Sequence, residues 1–261
     1  MHVEDTHYHF LDKREKLNSN HITYKECNCR KERQERLEIE KTLKSARIPE
    51  KFLNASINNF SLTVYEDDNA KAAAAYAKRI AARFVENYEE IKEKGKGLYF
   101  HSQVKGSGKT RLMISIGNAL FKKYRIVPLF ISANDILNEI KSTFDSEKST
   151  SAVMRTFREA NLLLIDDLGV EESRSKRSSD PSVWKERVIT EILEHRMNNN
   201  LLTIITANIP ISDLSAETLY PSGRVESRVK KITFEIHMPE YSIRDQESVE
   251  ENQEFEKQLL G

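Results

Sequence analysis

The chain has 261 residues, of which 41 are Lys or Arg and 41 are Asp or Glu, so its formal net charge is zero. A balanced charge excludes a protein that coats nucleic acid through its overall charge, although local basic patches are still allowed. Mean hydropathy is −0.61, and no segment approaches the roughly 18 apolar residues of a membrane span, which predicts a cytoplasmic protein without membrane contact.

The first 47 residues predict a small, mostly helical N-terminal region, because residues 29–47 read as a charged helix with a narrow apolar stripe. Upstream of this helix, a tetrahedral zinc site is one alternative, with four candidate ligands: His7, His9, Cys27 and Cys29. Their spacing matches no zinc pattern, so unligated histidines and thiols are the interpretation that we favour.

Residues 48–244 carry alternating helix and strand patterns, which predict an α/β domain with a parallel sheet flanked by helices. The predicted elements, in chain order, are a helix at 68–93, a strand at 98–101, a helix from Thr110, a strand at 127–131, a helix at 135–144 capped by Ser132 or Asn134, a strand at 162–165, a helix from Pro181 capped by Asp180, and a strand at 202–206. Residues 245–261 hold six acids and one lysine and predict a solvated acidic tail.

The strongest motif is a glycine-containing turn between the strand at 98–101 and the helix from Thr110. Glycines let the backbone approach phosphate oxygens closely, and the N-terminus of the following helix adds partial positive charge. A lysine after the second glycine reaches the terminal phosphates, and the hydroxyl that follows can ligate Mg²⁺. The sequence therefore predicts a loop that binds ATP and Mg²⁺, formed by Gly106, Ser107, Gly108, Lys109, Thr110 and Arg111.

One residue departs from the phosphate-loop pattern. Gln103 stands five residues before Gly108, where the pattern has a glycine. The pattern therefore does not specify the backbone geometry at the loop entrance. The sequence leaves two alternatives open, a normal affinity for nucleotide and a reduced one.

A second motif is an apolar strand that ends in two carboxylates, Asp166 and Asp167, and Asp166 lies 57 residues after Lys109. Ligands of open α/β folds bind at the carboxyl ends of the strands, where these side chains are expected. Asp166 is predicted to hold Mg²⁺ together with Thr110, and Asp167 to orient the attacking water. The strand and helix between the two motifs argue against a small-molecule kinase.

Five segments, taken in order, resemble AAA+ ATPases of the bacterial helicase-loader type, DnaC and DnaI, which are related to IstB-like transposition helpers. The segments are GSGKT, FISANDILNEI, LLLIDDLGVE, TIITAN and GRVESRV. The stretch between Cys27 and Phe60 resembles the segment that leads into that ATPase domain. The resemblance covers about residues 27–244 and implies a P-loop AAA+ ATPase core.

The resemblance implies roles for three further kinds of residue. Asn208 matches the sensor-1 position near the γ-phosphate, and Arg244 resembles the sensor-2 arginine. Arg228 matches the arginine finger that reaches the ATP of a neighbouring subunit, and Arg224 remains the alternative. An arginine supplied in trans makes hydrolysis depend on self-association.

The function implied by the resemblance is an ATP-dependent loader that binds a hexameric replicative helicase and delivers it to single-stranded DNA, with residues 1–47 as the docking region. Two alternatives stay open. One is a transposition helper that recruits a transposase to DNA, and the other is a helicase adaptor that binds nucleotide with little hydrolysis. Only 17 residues, six of them acidic, follow Arg244, so we expect no duplex-reading module there.

Overall fold

The computed structural model describes residues 46–144, 149–170 and 181–244, and residues 252, 255, 256, 258 and 259 of the tail. Residues 29–45 of the predicted N-terminal helix, the candidate zinc ligands and the Asp180 cap lie outside the described residues, so they stay predictions, whereas Ala46 and Arg47 form a turn rather than the end of a helix. No helix in the described ranges is long and apolar enough to cross a membrane.

Five parallel strands form one central sheet. In chain order they are β1 (Gly97–His101), β2 (Pro128–Ser132), β3 (Leu162–Leu168), β4 (Leu202–Ala207) and β5 (Thr233–His237). Their order across the sheet is β2-β3-β4-β1-β5, and each neighbouring pair runs parallel. Every residue of β4 is buried, as expected for a strand that helices cover on both faces. The predicted α/β fold is confirmed.

Helices cover both faces of the sheet. Within the described ranges they are α1 (Asp68–Glu86), α2 (Tyr88–Lys94), α3 (Lys109–Tyr124), α4 (Ala133–Lys141), α5 (Thr150–Glu159), α6 (Pro181–Asn198) and α7 (Arg224–Ile232), with short 3₁₀ turns at Glu50–Phe52 and Ile211–Asp213. Successive strand residues face opposite sides, so Leu163 and Ile165 of β3 pack in one apolar cluster, whereas Leu162 and Leu164 pack in the other.

Several predicted boundaries were wrong. The helix expected at 68–93 is two helices, because Asn87 leaves helical geometry at φ −101° and ψ 26° and ends α1. The helix expected at 135–144 is α4, and Ser132 caps it by accepting a 3.0 Å hydrogen bond from the Asp135 N–H. β3 continues past residue 165 to Leu168 and so includes both carboxylates of the second motif.

Three elements were not predicted: α5, α7 and β5. β5 pairs only with β1, so it forms an edge of the sheet. Phe234, Glu235 and His237 of this strand are exposed, which leaves no continuous apolar run for a sequence pattern to detect. The position of β5 beside β1 matters for the site, because the chain that follows β5 passes the phosphate loop.

Candidate nucleotide-binding site

The phosphate loop joins β1 to α3 and depends on glycine at two positions. Gly106 has φ 81° and Gly108 has φ 90°, a left-handed conformation that residues with a Cβ rarely adopt. A Cβ on Gly106 would lie 2.9 Å from Arg244 Cβ, and one on Gly108 would lie 2.9 Å from the Tyr65 hydroxyl. Backbone geometry and local packing therefore both require these glycines.

Lys109 is buried at the start of α3, with 6% of its surface exposed. Its ammonium donates to the carbonyls of Ser102 and Val104, at 3.2 and 3.0 Å, and to the Ser107 hydroxyl at 3.3 Å. Burial lowers the pKa of Lys109, and the nearby carboxylate of Asp167 opposes that shift. The phosphate loop thus holds the ammonium of Lys109 in place, and phosphate oxygens of a bound nucleotide would be its counter-ions.

Asp166 lies at the end of β3, where its Oδ1 accepts hydrogen bonds from two hydroxyls. Thr110 Oγ1 lies at 2.8 Å and Thr206 Oγ1 at 2.5 Å. Burial raises the pKa of Asp166, whereas the hydrogen bonds from the two threonines lower it. A hydroxyl and a carboxylate in contact fit Mg²⁺, which takes one or two protein oxygens together with phosphate oxygens and water.

Thr206 is a site residue that the sequence did not reveal, although it precedes Asn208 by only two positions. Besides donating to Asp166, its hydroxyl accepts a 3.0 Å hydrogen bond from the Asp167 N–H. Asp167 has φ 54°, an uncommon conformation for a residue with a side chain, and it is exposed. Thr206 therefore holds the strained backbone of Asp167, which lies where the pairing of β3 with β4 shifts register between Ile165 and Leu168.

A cavity of about 460 Å³ opens above the phosphate loop. It brings together most of the predicted site, because Asp167, Asn208 and Arg244 line it along with residues of the loop itself. Its other lining residues were not predicted and come from four separate segments of the chain: Lys51, Phe52, Lys105, Val170 and Ile243.

Two buried contacts fix the walls of this cavity. The Tyr65 hydroxyl donates to the Ser107 carbonyl at 3.1 Å, and burial raises the pKa of Tyr65. Asn118 of α3 donates to the carbonyls of Phe52 and Ala55, at 3.1 and 2.8 Å, which ties the segment around Phe52 to the helix behind the loop. Neither residue belongs to a recognisable motif, so their roles emerge only from the fold.

Arg228 lies apart from the other predicted site residues. It pairs with Glu194 of α6 at 3.2 Å, donates to the Arg224 carbonyl at 3.2 Å, and lines a second cavity of about 560 Å³ rather than the one above Lys109. Arg224 begins α7, and its side chain is exposed. Within one chain, neither arginine lines the cavity that contains Lys109.

The sheet order, the phosphate loop and the paired carboxylates define an AAA+ nucleotide-binding domain. Residues 57–203, more than half of the chain, match the family described as the bacterial DnaA ATPase domain. The chain belongs to this family.

This chain is also similar in sequence and structure to proteins that are named as helicase loaders. The replicative helicase loader DnaI of Bacillus subtilis (strain 168) is 24% identical over 210 residues, which are 80% of this chain and 61% of the relative. A crystal structure of DnaI matches with 28% identity and a TM-score of 0.58, over 73% of this chain and 94% of that one. The DnaC helicase loader matches with 26% identity and a TM-score of 0.57, over 73% and 99%. The chain thus spans less than two thirds of the length of the DnaI relative.

Proposed function

We propose that this protein is an ATP-dependent loader that binds a ring-shaped replicative helicase and delivers it to single-stranded DNA. The observation that carries the proposal is the cavity above Lys109, where Asp167, Asn208 and Arg244 meet the phosphate loop in a chain related to helicase loaders. Residues 1–47 would dock on the helicase, and the nucleotide would control the strength of that contact.

The proposed hydrolysis assigns one task to each side chain. Lys109 neutralises the terminal phosphates, and Asp167 orients the attacking water and accepts its proton. Asn208 and Arg244 stabilise the charge that develops on the γ-phosphate. Thr110 and Asp166 would hold Mg²⁺, which would supply positive charge against the negative charge of the phosphates. Hydrolysis would then weaken the assembly and release the loader.

Asp167→Asn is expected to lower ATP turnover by about 100-fold while ATP affinity stays within twofold, because an amide cannot accept the proton from water. Turnover is measured by phosphate release, and affinity by titration of a fluorescent ATP analogue. Glu159→Gln, an exposed acid on α5, is the matched control and should leave both unchanged. Wild-type turnover no higher than that of Asp167→Asn would contradict hydrolysis and favour the adaptor alternative.

Arg228 is proposed to act on the ATP of a neighbouring subunit, and mixing two inactive variants tests this. Arg228→Ala and Lys109→Ala should each be nearly inactive alone. An equal mixture should regain about a quarter of wild-type turnover, because about one interface in four then pairs an intact Lys109 with an intact Arg228.

Arg224→Ala is the control for the mixing experiment, since Arg224 lies one helical turn before Arg228 and its side chain is exposed. It should retain most of the turnover when assayed alone. A mixture that is no more active than its components would contradict action in trans. Loss of turnover in Arg224→Ala would instead identify Arg224 as the arginine finger.

A further inference from the structure

The entrance of the phosphate loop holds its shape without the glycine of the usual pattern. Gln103 is not among the described residues with positive φ, so a side chain is compatible with the backbone at this position. The expectation that Gln103 changes the loop entrance therefore has no basis in its φ angle.

The carboxylate of Glu240 binds the loop entrance directly. Its Oε1 accepts a hydrogen bond from the Gln103 N–H at 3.1 Å, and its Oε2 accepts one from the Val104 N–H at 3.0 Å. Oε2 also lies 3.2 Å from Ser102 Oγ. One side chain thus satisfies two successive backbone donors, and bonds to an ionised acceptor are stronger than neutral ones.

Glu240 is itself held by the last residue of β5. His237 Nε2 lies 2.8 Å from Glu240 Oε1, and the Ser102 hydroxyl donates to the Pro239 carbonyl at 2.9 Å. Burial raises the pKa of Glu240, but hydrogen bonds from His237 and from the backbone of Gln103 and Val104 outweigh it, so the net pKa is lowered. The carboxylate is therefore ionised at neutral pH.

The same backbone that Glu240 holds also positions Lys109. The carbonyls of Ser102 and Val104 are two of the three acceptors of the Lys109 ammonium. The Gln103 N–H and the Ser102 carbonyl belong to one rigid peptide unit, so the carboxylate that holds this N–H also fixes that acceptor of Lys109, whereas the Val104 carbonyl belongs to a later unit of the chain. Glu240 can therefore act on Lys109 without touching the nucleotide.

We propose that Glu240 is a positioning residue for nucleotide binding, which holds the loop entrance and, through the Ser102 carbonyl, directs Lys109 towards the terminal phosphates. The inference rests on the nucleotide binding in the proposed function, but not on hydrolysis or on a helicase partner. It assigns the role of the missing entrance glycine to a side chain that lies 137 positions later in the chain.

Glu240→Gln tests the positioning role, because the amide keeps the shape but offers only one acceptor atom for donors that now bind two carboxylate oxygens. The side chain is 39% exposed, so a moderate effect is expected: about fivefold weaker binding of ADP, measured by calorimetry. AMP lacks the phosphates that Lys109 reaches, so its affinity should change by less than twofold. Glu93→Gln, an exposed acid of α2, is the control and should leave both affinities unchanged.

The outcomes separate this inference from the proposed function. Wild-type ADP affinity in Glu240→Gln, tighter binding, or an equal loss for ADP and AMP would each overturn the positioning role. Failure of the wild-type protein to bind ADP would overturn the proposed function together with the inference.

If Glu240→Gln does not fold, amide hydrogen exchange of the wild-type protein decides instead. The N–H groups of Gln103 and Val104 should then be protected, and fast exchange at both would overturn the positioning role.

Discussion

Lys109→Ala is expected to weaken ATP binding by on the order of 100-fold, because it removes the cation that the phosphate loop holds for the terminal phosphates. The Lys109 ammonium is already held by Ser102, Val104 and Ser107, so its side chain loses little conformational entropy when phosphate binds. Titration with a fluorescent ATP analogue measures the effect.

The fold should survive this change. Burial lowers the pKa of Lys109, which means that the charge of its ammonium does not stabilise the folded state relative to the unfolded state. Lys122→Ala, at an exposed position on the same helix, is the matched control and should bind ATP with wild-type affinity. Near-normal ATP affinity in Lys109→Ala would contradict the assignment of the phosphate site.

Arg196→Met is expected to lower the free energy of unfolding by about 3 kcal/mol, the largest stability effect that we predict. Arg196 of α6 is fully buried, and its guanidinium donates five hydrogen bonds, four of them to backbone carbonyls. Three of these carbonyls, those of Phe157, Arg158 and Ala160, lie at the C-terminal end of α5, where the helix dipole favours a cation.

Methionine fills a similar volume but leaves those buried carbonyls without donors, which is the source of the cost. Burial lowers the pKa of Arg196 to about 9, so the guanidinium is still charged at neutral pH. Urea unfolding measures the change.

Arg158→Met is the matched control for Arg196. The Arg158 side chain is partly exposed and pairs with Glu191 at 3.1 Å, so less than about 1 kcal/mol should be lost. Equal losses in the two variants would contradict the role given to the buried guanidinium.

The architecture could be predicted because most of its elements leave local patterns. The apolar run of β3 and the capping serine of α4 are both visible within a few residues. β5 was missed because its stability comes from pairing with β1 at the edge of the sheet, and its own side chains are half exposed. Arg196 was missed for a related reason, since nothing in a helical sequence marks an arginine whose partners lie on other elements.

Some residues of the candidate site could likewise be predicted from local motifs, and others could not. Lys109 and Asp166 stand in short motifs whose spacing follows from phosphate and metal chemistry. Thr206, Tyr65 and Glu240 contribute through contacts between distant segments, and such contacts appear only when the sheet order is known. Sequence patterns thus identified the groups expected to meet the nucleotide, whereas the groups that hold them in place required the structure.

The most direct test of the loader proposal is affinity capture from host lysate with Mg²⁺-ATP, followed by identification of the retained proteins. We expect that a hexameric replicative helicase is retained by the wild-type protein, is lost with Lys109→Ala, and is lost when residues 1–47 are deleted. Retention of a transposase, or of duplex DNA without a helicase, would contradict the loader function and favour a transposition helper.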